Sequence, residues 1–282
     1  MMPTMLLAVH LAVGQPAEYP RAELLVEAAD AKLTKDFRVL DARPKAKYDE
    51  GHIPGAVHAD LNPWSKVVTE GKADAAFWKS ELAKVGVSPK QPVAVYADDM
   101  RDAARLWWML KLAGVPDVRL VNGGWKAYAA AKLPVQKEAA TATAEPHDWK
   151  PDATRLATKE DVLKQFEAGG IVDARTDAEF LGRDKLKNKK AGCVPGATHI
   201  EWSDFLDPKT DKFLAPPDLI KLVKDRKVDL DKPNITYCQG GGRAAVAAFG
   251  LELAGAKNVR NYYASWGEWG NAADTPVEVK KK

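Results

Sequence analysis

Asn234-Ile-Thr-Tyr-Cys-Gln-Gly-Gly-Gly-Arg243 is the stretch from which the architecture can be read. Ile235–Tyr237 is a short apolar, β-branched run of the kind that forms a buried strand. Three glycines (Gly240, Gly241, Gly242) then break the run, and Arg243 opens an Ala-rich helical segment through Leu253. Strand, glycine turn and helix start together make an anion-binding shape. Glycines let successive backbone N–H groups point inward, and the helix dipole adds positive potential. Cys238 stands at its mouth, where the thiolate form is favoured and a nucleophile at neutral pH is expected. Gln239 and the three glycines are the expected substrate cradle, and Arg243 adds a charge for an anionic substrate or leaving group.

Outward from this stretch, the chain repeats itself. Val39-Leu-Asp-Ala-Arg43 recurs as Ile171-Val-Asp-Ala-Arg175, and Gly51-His-Ile-Pro-Gly-Ala56 as Gly192-Cys-Val-Pro-Gly-Ala197. The offset is 132 at the first motif and 141 at the second, then holds at 141 for Tyr96/Tyr237, Gly114/Gly255 and Trp125/Trp266. The chain is therefore a tandem duplication with nine extra residues in the second copy, between Arg175 and Cys193. Both copies alternate strand-like runs (Arg38–Leu40, Val93–Tyr96 and Val118–Leu120; Gly170–Val172, Ile235–Tyr237 and Val259–Asn261) with helices. The helices Ala103–Leu112 and Ala244–Leu253 are each closed by a glycine, Gly114 or Gly255. The expected fold class is α/β, two tandem domains, each a mostly parallel sheet flanked by helices. Residues 19–136 form the first, 137–158 a linker, and 159–277 the second. Ligands bind beyond the carboxyl ends of such strands, where Cys238 falls.

At 282 residues the chain suits two ordinary domains. A net charge of +3 excludes an electrostatic case for nucleic acid. Two cysteines and five unclustered histidines give neither a disulfide framework nor a metal site, so no metal and no cofactor are expected. The run Met5–Val13 is too short to span a membrane. It has the character of a signal-peptide core with cleavage around Gly14–Ala17, but no Lys or Arg precedes Arg21. Periplasmic export and cytoplasmic residence both stay open.

Cys238-x-x-Gly241-x-Arg243, taken in order with the Asp-Ala-Arg and Gly-x-x-Pro-Gly-Ala motifs, resembles the rhodanese family of sulfurtransferases. The resemblance runs from about Tyr19 to Pro276. It implies a two-domain enzyme with an active C-terminal half. Sulfur would pass from thiosulfate to cyanide or a thiol through a Cys238 persulfide, in a ping-pong cycle and on a monomer. It also implies a substrate-binding arginine in the longer segment of the second copy, met here by Arg183. The basic residues around Arg183 equally make a solvated loop. Cys193 departs from the family's usual His and is expected to be a small buried hydrophobe.

Asp173 and Arg175 end the strand beside the cysteine strand and are expected to support the loop, Asp173 equally as a simple loop cap. In the first copy Ala97 occupies the Cys238 position, and the loop after it has no glycine and three carboxylates, Asp98, Asp99 and Asp102. That copy is expected to be an inert scaffold whose acidic loop repels anions. Trp107, Trp108 and Trp125 are expected in packing roles. Replacing Arg243 by Ala is expected to weaken turnover more than folding. The rival functions are 3-mercaptopyruvate sulfurtransferase, a non-catalytic sulfur-binding module, and a phosphatase or arsenate reductase. The last normally needs Cys-x5-Arg, and Ala244 stands where its Arg would be.

Overall fold

The computed structural model describes residues 18–142 and 144–280, so the segment read as a signal sequence lies outside the described residues. The first half forms a sheet of five strands, β1 (Leu25–Glu27), β2 (Arg38–Asp41), β3 (Val57–His58), β4 (Val93–Tyr96) and β5 (Val118–Asn122), in the order β1-β5-β4-β2-β3. The second half repeats it with β6 (Ile171–Asp173), β7 (Thr198–His199), β8 (Asn234–Tyr237) and β9 (Val259–Asn261), in the order β7-β6-β8-β9. Every strand pair is parallel. The counterpart of β1 shrinks to one parallel bridge, Leu156 to Asn261, where the Ala157 N–H donates to the Asn261 carbonyl at 3.0 Å. The α/β reading from sequence therefore holds, and the 137–158 connection is packed: Trp149 within it joins the apolar core.

The Gly242–Leu253 helix buries every residue except Arg243, as an Ala-rich helix apolar on all sides must. Its C-terminus closes as expected. The Gly255 N–H donates to the Glu252 carbonyl, the Ala256 N–H to Leu251, and Gly255 has φ +106°. Gly114 closes the Met100–Leu112 helix in the same way, and a Cβ there would lie 2.2 Å from the Lys150 carbonyl oxygen.

These two helices pack against each other, and one apolar core runs through both halves. Trp107 meets Phe249 edge-on at 4.8 Å, and Trp108 stacks on Tyr263 at 5.1 Å. Burying such rings contributes roughly 2–3 kcal/mol each. Glu252, buried at the seam, accepts from Arg21 at 3.0 Å and Arg155 at 2.7 Å, so no uncompensated charge is left inside. The carboxyl ends of β8 and its neighbours consequently open onto the first half of the molecule rather than onto bulk solvent alone.

Candidate active site

Cys238 follows β8 directly, and strand alternation separates it from its neighbour. Tyr237 belongs to the apolar cluster on the outer face of its sheet, and Cys238 to the core shared by the two halves. The thiol is 2% exposed and lies in the wall of an open cavity of about 410 Å³. Gln239, Gly240, Gly242 and Arg243 line the same cavity, as do Asp99, Arg101, Asp102 and Arg105 from the first half.

The loop needs one of its three glycines for its backbone, and a second lies against a side chain of the first half. Gly241 has φ +80°, and a Cβ there would meet the Tyr263 ring at 2.3 Å. At Gly242 a Cβ would lie 2.4 Å from an Arg105 nitrogen, whereas Gly240 faces open space. The turn is tied from below by Ser265, whose hydroxyl accepts from the Cys238 N–H at 3.0 Å and the Gly241 N–H at 3.3 Å and donates to the Tyr262 carbonyl at 2.7 Å. The amides of Gln239, Gly240, Arg243 and Ala244 have no partner among the described residues, and the first three belong to residues that line the cavity.

Ser265 was not singled out from sequence, although the repeat register contained the signal. It aligns with Gly124 and shares its left-handed backbone, φ +57° against +54°. A serine held there is strained by about 1–3 kcal/mol. Ser265→Gly relieves that strain but strands the Cys238 and Gly241 amides, so the melting temperature should change little while sulfur uptake by Cys238 falls, because the loop loses its tie. A Ser265→Gly protein with wild-type uptake would show that the hydroxyl has no part in shaping the loop.

The structure places Arg243 differently from a free cation. Its guanidinium donates to both carboxylate oxygens of Glu179, at 2.6 and 2.9 Å. Burial lowers the Arg243 pKa most, but the Glu179 bond and the negative charges of Cys238, Glu179 and Asp173 together hold it above its ordinary value. Burial raises Glu179, and the Arg243 and Thr176 bonds more than reverse it, holding the carboxyl below the usual carboxylate range. Glu179 belongs to the short Asp177–Phe180 helix and forms a capping box with Thr176. Gln239 is likewise engaged, in a reciprocal amide pair with Asn188 at 3.1 Å each way. The longer segment between Arg175 and Cys193 therefore grips the cysteine loop through Glu179 and Asn188. Arg183, in the same segment, does not line the cavity; it is half-exposed with Asp177 at 3.9 Å.

Asp173 and Arg175 lie behind the site and do not line the cavity. The guanidinium donates to the Asp173 carboxylate and to the Gly192 carbonyl at 2.7 Å, with the Trp266 ring 4.1 Å from its centre. Tyr237 donates its hydroxyl to the same carboxylate and accepts from the Val194 N–H at 3.1 Å. Asp41, Arg43, Tyr96 and Trp125 build the identical brace in the first half, which has no thiol. The brace therefore belongs to the framework of the repeat: it fixes the Gly-x-x-Pro-Gly-Ala turn to the strand ends.

The acidic loop of the first half is partly neutralised by its own arginines, although Asp99 and Asp102 still line the cavity. Asp99 caps the Met100–Leu112 helix and is held bidentately by Arg101, while Asp98 turns toward Arg43. With those carboxylates engaged, Arg101 and Arg105 face the Cys238 cavity. Ala97 itself is buried and superposes in register on Cys238, since the Trp125 N–H donates to Ala97 as Trp266 does to Cys238, both at 2.9 Å. Its loop has no glycine, and the buried Met100 side chain packs close beside it. Ala97→Cys should therefore gain no sulfur from thiosulfate, measured as intact mass in a Cys238→Ser background; uptake there would give the first half a working cradle.

Comparison with known proteins yields three findings. The Rhodanese-like domain family model matches twice, at residues 22–131 and 158–272. A thiosulfate sulfurtransferase of Corynebacterium glutamicum is 33% identical, covering 93% of this chain and 92% of the relative; a 3-mercaptopyruvate sulfurtransferase of Mus musculus is 29% identical, covering 91% and 89%. The crystal structure of YnjE superposes with a TM-score of 0.82 at 27% identity, over 94% of this chain and 70% of the other.

Proposed function

The chain belongs to the rhodanese family, and on that premise we propose that it is a sulfurtransferase that carries sulfane sulfur on Cys238, with thiosulfate as donor and cyanide or a thiol as acceptor. The observation that carries this reading is the Cys238 thiol set at a helix start, beside loop amides with no partner among the described residues and in a cavity bordered by arginines. In the first step the Cys238 thiolate attacks the outer sulfur of thiosulfate. A new S–S bond forms, the bond to the oxygen-bearing sulfur breaks, and sulfite leaves with the electron pair. The persulfide keeps one negative charge, which the amides of Gln239, Gly240 and Arg243 stabilise as an oxyanion hole would. In the second step cyanide attacks the outer sulfur, departs as thiocyanate and returns the thiolate.

The donor assignment rests on the loop as well as on the Corynebacterium relative. Gln239 and Arg243 stand where small or hydroxyl residues would favour mercaptopyruvate. The mouse relative keeps that second donor in view, and the choice is made by rates. In this reading residues 19–136 and 159–277 are the two domains, only the second carries a nucleophile, and the enzyme acts as a monomer. Arg183 remains a candidate to guide anions toward the cavity from the rim. Incubation with thiosulfate and intact-mass measurement should show one added sulfur on Cys238, with stoichiometric sulfite. Thiocyanate should then appear on adding cyanide, faster than pyruvate appears from mercaptopyruvate. A protein that takes sulfur from neither donor would overturn the proposal.

A further inference from the structure

The charges around Cys238 are matched one against another, with a single exception. Arg243 is neutralised by Glu179, and Arg101 is held by Asp99 and lies over the Trp202 ring at 4.9 Å. Arg105 has no such close partner: its ion pair with Asp102 is a loose one. Its Nε is buried without a hydrogen-bond acceptor among the described residues, and Asp102, at 3.8 Å from Nη1, is beyond hydrogen-bond reach. Its Nη2 lies against Gly242, at the start of the Gly242–Leu253 helix of the other domain. The same guanidinium also lines an adjoining cavity of about 360 Å³ bordered by Lys45, His58 and Asn62. It thus stands at the junction of two cavities, one of which holds the thiol.

We propose that Arg105, from the N-terminal domain, binds the oxyanion end of the sulfur donor beside Cys238, so that the domain without a nucleophile supplies part of the substrate site. The inference rests on the reading of Cys238 as sulfur carrier. A guanidinium offers parallel N–H donors that match two oxygens of a sulfonate or a carboxylate. The division of labour follows from position. Loop amides hold the sulfur that becomes the persulfide, and Arg105 holds the oxygens of the departing sulfite, on which charge grows as the S–S bond breaks. A donor bound there pairs the guanidinium more closely than the distant Asp102 does, and a side chain at Gly242 would push this guanidinium aside. Asp102 opposes the donor from 3.8 Å beside Arg105 and weakens its binding.

The test is steady-state kinetics with thiosulfate and cyanide on the full chain, alongside melting curves, for Arg105→Gln, Arg105→Lys and Asp102→Asn. Arg105→Gln should raise the KM for thiosulfate about ten- to hundred-fold, the size of a lost charge-assisted bond, with a smaller fall in kcat. Arg105→Lys should recover part of the KM, and Asp102→Asn should lower it below wild type. A role confined to packing would move melting temperature and activity together and leave the Asp102→Asn KM unchanged, which overturns the proposal even if Arg105→Gln folds poorly. A wild-type KM in Arg105→Gln overturns it as well. The two levels separate cleanly: if wild-type Cys238 takes no sulfur, the underlying function falls and this assignment with it. If the wild type takes sulfur and the variants keep its KM, only Arg105 is released.

Discussion

Cys238→Ser takes up no sulfur from thiosulfate and forms no thiocyanate, whereas Cys193→Ser keeps both. This contrast follows from the opposite surroundings of the two thiols. Cys238 stands at a helix start, beside loop amides that have no partner among the described residues, and in the wall of an open cavity. Cys193 is fully buried in the outer cluster with Tyr237 and Trp266. Burial first, then the Asp173 carboxylate, pushes its pKa up to about 12, so at neutral pH it is a thiol with its Sγ 3.5 Å from the Glu278 carbonyl. Its backbone is bridged in both directions to Glu278, at 2.8 and 2.9 Å. The rival mechanism, a Cys238–Cys193 disulfide that resolves the persulfide, has to bring together thiols from the two faces of one sheet. Cys193→Ser should cost about 1–3 kcal/mol of stability, because a hydroxyl replaces a buried sulfur, and leave turnover near wild type. Intact mass after thiosulfate, with and without reductant, is the measurement. A trapped disulfide, or lost turnover in Cys193→Ser with its persulfide intact, would end the one-cysteine mechanism.

Much of this arrangement was legible from the chain because it was written twice. Strand centres, the glycines that close the two long helices, and the cysteine loop each had a partner at a fixed offset. Elements without a strong local signal were not read: β1, the two-residue β3 and β7, and the short helices outside the motifs. Such segments are held by their neighbours rather than by periodicity. The site shows the same division. Cys238 and its glycines carry their chemistry in the residue types. Glu179 and Asn188 reach the loop from 59 and 50 residues upstream, so their pairing with Arg243 and Gln239 is invisible to spacing. The acidic loop of the first half was read incompletely for a related reason. Counting carboxylates ignored the helix cap and the arginine pair that absorb them, and ignored Arg105 one turn further along.

The Glu179 pair also revises what Arg243→Ala should do. Seen from sequence, the substitution removes a cation from a site where Ala suits the helix, and activity suffers more than folding. With Glu179 4% exposed and bonded by both carboxylate oxygens, removing Arg243 instead strands a buried carboxylate. The cost should be about 3 kcal/mol, well above the tenths expected for a helix surface change. Arg243→Ala should therefore lower the melting temperature clearly at pH 7. The double substitution Arg243→Ala with Glu179→Gln should recover much of it, since a neutral amide tolerates the site better than a lone charge. The pair also sets a pH signature. Glu179 has a folded pKa below its unfolded value, so its stabilisation is fully present above the unfolded carboxylate pKa of about 4.3. It is lost as pH falls through the lowered folded value. The gap in stability between wild type and Arg243→Ala should thus narrow in acid, measured by urea unfolding across that range. An unchanged gap, or a double variant no more stable than Arg243→Ala, would return Arg243 to the role of a free cation facing the substrate.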